Sequence, residues 1–145
     1  MLMPARGAFT AIAAFAVLSA CLLSGRAQAD GLTPGEWEAT LNVFVGSASC
    51  DAKQEVNVNA VEDQPGHFTV QFKGRAVILQ IEETSSGAVR LEDKKSGWLW
   101  IQIPAKSMLL DAKRGQRLAD GCATPEQREL WDGAQVAPGT LLRPR

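Results

Sequence analysis

His67-Phe68-Thr69-Val70-Gln71-Phe72-Lys73-Gly74-Arg75-Ala76-Val77-Ile78-Leu79-Gln80-Ile81 alternates, turns once and alternates again. Phe68, Val70 and Phe72 share one side, and His67, Thr69, Gln71 and Lys73 share the other. A period of two belongs to a strand with one dry face and one wet face. Gly74-Arg75 is a tight connection, after which Val77, Leu79 and Ile81 resume the pattern against Ala76, Ile78 and Gln80. The hairpin sets the class: this is a β protein.

The same period extends upstream. Val56, Val58 and Ala60 alternate with Glu55, Asn57 and Asn59, and Glu62-Asp63-Gln64-Pro65-Gly66 forms the turn into the hairpin. From Glu36, the side chains of Trp37, Ala39, Leu41, Val43 and Val45 alternate with polar ones, which predicts a first strand. Gly46-Ser47-Ala48-Ser49 reads as a loop leading to Cys50.

Downstream, Thr84-Ser85-Ser86-Gly87-Ala88 is a polar turn feeding a short strand with Val89 and Leu91 inward. Asp93 to Gly97 is a charged turn, and Trp98 to Ile103 is an apolar strand ending at Pro104, which has no N–H to donate. Ser107 to Ala112 places Met108 and Leu110 on one side, and Lys113-Arg114-Gly115 turns the chain into Gln116 to Asp120. Eight short strands with a turn every few residues predict an antiparallel barrel, with a sandwich as the alternative. The expected core is Leu41, Val43, Val56, Val58, Phe68, Val70, Phe72, Val77, Leu79 and Leu110. After Cys122, Thr124-Pro125-Glu126-Gln127 has a threonine cap, a first-turn proline and a capping-box glutamine. A short helical turn follows, with Leu130 and Trp131 able to cover one mouth of the barrel, and then an irregular tail.

The N-terminus reads as a targeting segment over residues 1–29. Arg6 precedes an apolar run from Gly7 to Leu23, and Ala27-Gln28-Ala29 fits a cleavage site. A second reading lies inside the first, because Leu18-Ser19-Ala20-Cys21 resembles a lipobox in which Cys21 is acylated. Both readings export a domain over residues 30–122 with a tail over 123–145, to the periplasm or to the outer membrane as a lipoprotein. Cleavage or acylation removes Cys21 and leaves Cys50 and Cys122, which an oxidising compartment bonds; two buried free thiols are the alternative.

Without Arg6 and Arg26 the chain carries 13 cations against 16 carboxylates, which is no footprint for nucleic acid. The acidic pairs Glu62-Asp63, Glu82-Glu83 and Glu92-Asp93 are adjacent, so on strands their carboxylates point to opposite faces. A single histidine, His67, with no nucleophile signature nearby offers no triad. No Cys/His spacing fits a metal, and no motif calls for a cofactor. Trp37, Trp98, Trp100 and Trp131 are core or rim residues, or else, with Ile78, line the mouth of a barrel that binds a small hydrophobic ligand.

From Cys50 to Cys122 the chain resembles the membrane-bound and periplasmic inhibitors of C-type lysozyme. The resemblance rests on the order Thr84-Ser85-Ser86-Gly87-Ala88, Arg90, Glu92-Asp93, the Trp98 to Ile103 strand, Lys106, Leu110 and Gly121-Cys122. Thr84 stands where the family has serine, Leu91 where it has an aromatic, and the tyrosine before the first cysteine is absent. The resemblance implies an eight-stranded barrel, monomeric or dimeric, that is not an enzyme and whose partner is a lysozyme. It assigns Ser86, Gly87 and Lys106 to the contact, with Arg90 as the substitute cation. A structural role in the envelope is the remaining alternative.

Overall fold

The computed structural model describes residues 31–136; the expected leader, Cys21 and the last nine residues of the expected tail lie outside them. Eight strands run in sequence order around one antiparallel sheet: β1 (Gly46–Ser49), β2 (Glu55–Ala60), β3 (His67–Phe72), β4 (Arg75–Glu82), β5 (Val89–Asp93), β6 (Trp98–Gln102), β7 (Ser107–Asp111) and β8 (Gln116–Cys122). The sheet is a nearly closed barrel. Val56, Val58, Phe68, Val70, Phe72 and Leu79 are buried inside it as expected. They pack with Ile81, Leu91, Trp98 and Trp100, while Val43 and Val77 are partly buried against this cluster.

Closure depends on a short seam. Ser49 and Ala123 exchange both backbone hydrogen bonds at 3.0 Å. Cys50 and Cys122, the next pair in that register, are joined by a disulfide with Cα atoms 3.8 Å apart.

Glu36 to Val45 is not a strand. Pro34–Leu41 is a helix, α1, because Thr33 caps it from both directions. The Thr33 hydroxyl accepts from the Glu36 N–H at 3.1 Å, and the Glu36 carboxylate accepts from the Thr33 N–H at 2.8 Å. Such a capping box satisfies two of the helix's free donors, and Pro34 gives up none that the helix needs. The buried side then follows a helical period: Leu32, Ala39 and Val43 pack on the core, and Leu41, an expected core residue, is 72% exposed. β1 takes the place of the missing strand. Gly46-Ser47-Ala48-Ser49, read as a loop, pairs with Glu55 to Val58, and Ala48 is fully buried.

The expected core position Leu110 is also corrected, by one residue. Trp100 pairs with Leu109, which points inward, so Met108 and Leu110 face out. The alternation misleads because the inward set is Ser107, Leu109 and Asp111, and its two polar members have partners. Ser107 Oγ lies 3.4 Å from the Gln127 side chain, and Asp111 accepts from the Arg114 N–H at 3.0 Å. The second helix, α2 (Pro125–Val136), is longer than the short turn expected.

Replacing both Cys50 and Cys122 by alanine is expected to lower stability by about 4 kcal/mol, the loop-entropy value for a 72-residue separation. Urea unfolding of the double variant checks it. Hydrogen exchange should rise first at Ser49 and Ala123.

Candidate partner-binding end

Antiparallel hairpins alternate between the two ends of a barrel, so the β2–β3, β4–β5 and β6–β7 turns share one end. Both helices lie there too. The Thr33 hydroxyl at the start of α1 donates to Glu83 at the β4 exit (3.1 Å), and the segment after α1 docks on β6. That docking is done by Gln102, whose amide donates to the Asn42 carbonyl at 2.7 Å and accepts from the Phe44 N–H at 2.9 Å. Gln127 does the same for α2: its amide donates to the Ile103 carbonyl at 2.7 Å. The sequence places Gln127 in a capping box, and half of that holds. Thr124 accepts from the Gln127 N–H at 3.1 Å, but the Gln127 side chain turns inward and is fully buried.

The β4–β5 loop is closed by Thr84, whose hydroxyl donates to the Ala88 carbonyl at 2.7 Å. At its tip Ser86 is exposed, and its oxygen accepts a long 3.4 Å bond from the Ala88 N–H. The Ser86 hydroxyl proton has no protein acceptor among these bonds and is free to donate outward. Gly87 has φ +76°, and a Cβ added there would meet nothing. The conformation therefore asks for glycine, not the space around it.

The two cations are already engaged. Arg90 donates through Nη2 (2.8 Å) and Nε (3.3 Å) to one oxygen of Glu92, two residues along the same face. Lys106, in the β6–β7 turn, pairs with Asp120 on β8 at 3.4 Å. Asp120 is also held by Arg117 at 2.7 Å. Its carboxyl is drawn below the usual aspartate range, first by the hydrogen bond from the Gly121 N–H and then by the charges of Arg117 and Lys106. Lys106 is 46% exposed, and an exposed pair of this kind exchanges at little cost.

A half-open cleft of about 430 Å³ joins the loop to the helices. Gly87 and Val89 line it with Phe44, Ile103, Leu130 and Trp131. Sequence reasoning placed Leu130 and Trp131 here but missed Phe44, which reaches the cleft only because Gln102 holds its backbone. Trp98 and Trp100, read as alternatives for a ligand mouth, are buried in the barrel, and Ile78 lies on the outer wall of β4. The Trp100 indole N–H is buried without a hydrogen-bond partner. No three His, Cys, Asp or Glu side chains among the described residues group as metal ligands.

No family model matches the chain, and no curated protein or solved structure matches it at a significant level.

Gly87→Ala is expected to cost about 1 kcal/mol through backbone strain alone, read by thermal unfolding, with no change in the core. Acid sensitivity supplies a second test. Asp93 is also held below the usual aspartate range, first by the Ser96 side chain and then by the N–H groups of Ser96 and Lys95. A depressed carboxyl stabilises the fold fully above its unfolded value, about pH 4, and loses that contribution as pH falls through the folded value. Asp93→Asn should therefore be less stable than wild type at neutral pH, and the difference should shrink as the pH falls below the ordinary aspartate range in urea melts. A difference that stays constant with pH would refute the linkage.

Proposed function

We propose that this protein is an exported inhibitor of C-type lysozyme, periplasmic or lipid-anchored, that blocks the enzyme's cleft with its β4–β5 loop. The observation that carries the reading is Ser86: an exposed hydroxyl free to donate, at the tip of a loop braced by Thr84 and turned by Gly87. Glycan cleavage by lysozyme uses two carboxyl groups in a cleft. A braced tip that donates to one of them loses little freedom on binding, which favours affinity. Lys106 is the cation for the second carboxyl group, which it reaches by leaving Asp120. Arg90 is the poorer choice, because both of its bonds go to a partner on its own strand. Thr84 in place of the family serine keeps the hydroxyl that closes the loop.

A second reading is favoured by the cleft itself. Its volume and its apolar walls of Phe44, Val89, Ile103, Leu130 and Trp131 fit a small hydrophobic ligand. Quenching of tryptophan emission by such a ligand, with no effect on lysozyme, would select it.

The deciding experiment is a turbidity assay of bacterial cell walls with a C-type lysozyme. Wild-type protein should protect the walls, and failure to protect at large molar excess sinks the reading. Ser86→Ala should weaken inhibition about 10- to 150-fold, the loss of a hydrogen bond to a charged group, roughly 1.5 to 3 kcal/mol. Lys106→Ala should weaken it as well and reduce its salt dependence. Asp120→Asn, which frees Lys106 while leaving an acceptor for the Gly121 N–H, should tighten it.

A further inference from the structure

The even net balance of charge along the chain hides a segregation between the barrel's two ends. The β1–β2, β3–β4, β5–β6 and β7–β8 connections share the end opposite the helices. The β1–β2 connection carries Asp51 and Lys53, which offset each other, and the other three carry Lys73 and Arg75, then Lys95, then Lys113 and Arg114, all on exposed residues. Lys94 belongs to the same turn by sequence but turns back along the wall toward Glu82, 3.7 Å away. The aspartates of the β5–β6 and β7–β8 turns are folded into them. Asp93 accepts from the N–H groups of Lys95 and Ser96, and Asp111 from that of Arg114, with Arg114 Nε at 3.7 Å. Glu55 borders the Lys73–Arg75 turn. The helix end is the reverse: Glu36, Glu38, Glu126, Glu129 and Asp132 lie on the helices, against Arg128 there and Lys106 in the turn.

The cationic end is also rigid and closed. The Lys113 ammonium donates to the Lys95 carbonyl at 2.6 Å, and the Ala112 N–H donates to the Gly97 carbonyl at 2.7 Å, so two of the four connections are laced together. Lys73 lies over the Phe72 ring and Arg75 over the Trp98 ring, each 5.0 Å from the centroid. The aromatics at this end are thus buried beneath cations.

We propose that this end is a docking surface for an anionic phospholipid bilayer. Nucleic acid is disfavoured by the same geometry. Single strands need exposed aromatics for stacking, and here the rings are covered; neither α1 nor α2 stands at this end to enter a groove. A set of fixed cations on neighbouring turn tips suits a planar array of phosphates, where each Lys or Arg near the surface adds about a fivefold gain in partition. Docked this way, the barrel holds its β4–β5 loop and helices away from the bilayer.

Cosedimentation of the full chain with phosphatidylcholine vesicles, with and without phosphatidylglycerol, tests it. The readout is the gain from phosphatidylglycerol over phosphatidylcholine alone, which cancels any apolar contribution of residues 1–29 common to both vesicles. That gain should disappear near 1 M salt, where the screening length is about 3 Å. Lys73→Asn and Lys95→Gln should each lower it about fivefold and together about 25-fold. Lys73 has φ +49° and Gly74 φ +76°, as a two-residue type I′ turn requires, so asparagine suits that position. Lys106→Gln, at the other end, should leave the gain unchanged. Equal binding to both vesicles, insensitivity to the turn variants, or an equal loss in Lys106→Gln overturns the proposal. So does retention on double-stranded DNA without any gain on anionic vesicles.

Discussion

The seam between β1 and β8 is what allows the rest of the sheet to be a barrel. Seven of the eight strand-to-strand junctions are hairpins or short connections whose ends are held together by the chain itself. The eighth joins residues more than 70 positions apart, and it consists of one pair of backbone hydrogen bonds with the Cys50–Cys122 disulfide beside it. The helix joins in as well, since Arg128 donates to the Ser49 carbonyl at 3.2 Å. Loop-closure entropy makes such a long-range contact the costliest to form, and the covalent link removes most of that cost from the unfolded state. Without it, β1 and β8 would be exposed edges, each presenting unpaired backbone groups.

Two buried glutamines do for the barrel's mouth what the disulfide does for its wall. Gln102 satisfies two backbone groups after α1, and Gln127 satisfies the Ile103 carbonyl while reaching Ser107. A buried amide left without partners is costly, so each glutamine ties its distant segment firmly in place. The cleft beside Gly87 is the space these ties leave. The loop carrying Ser86 and the turn carrying Lys106 consequently stand at a mouth braced by buried amides.

The chain carries two helix starts of the same design, Thr33-Pro34-Gly35-Glu36 and Thr124-Pro125-Glu126-Gln127. The second was legible as a helix start because no competing pattern surrounded it. The first was hidden by the alternation from Trp37 to Val45, and reciprocal capping won there because it acts within four residues. Trp37, half exposed, and Leu41 lie one helical turn apart on the outer side of α1 and buried nothing by being apolar. An alternating run is evidence for a strand only when a neighbouring strand is there to use it.

By itself, the sequence determined β2 to β5 with most of their inward side chains, the presence of β6, the hairpin connections and the cysteine pair. Those depend on a local period, on turn residues at set positions and on parity, all of which are readable along the chain. Other features belonged to the tertiary structure. The register of β7 turned on partners for Ser107 and Asp111, and the strand at Gly46 to Ser49 existed only through its pairing with β2. Whether Arg90 and Lys106 were free cations depended on Glu92 and Asp120. The separation of charge between the two ends appeared only when alternate hairpins were gathered to opposite ends. In each case the deciding contact joins groups that the linear order does not rank as neighbours, and a one-dimensional pattern carries no record of which partner a polar side chain will find.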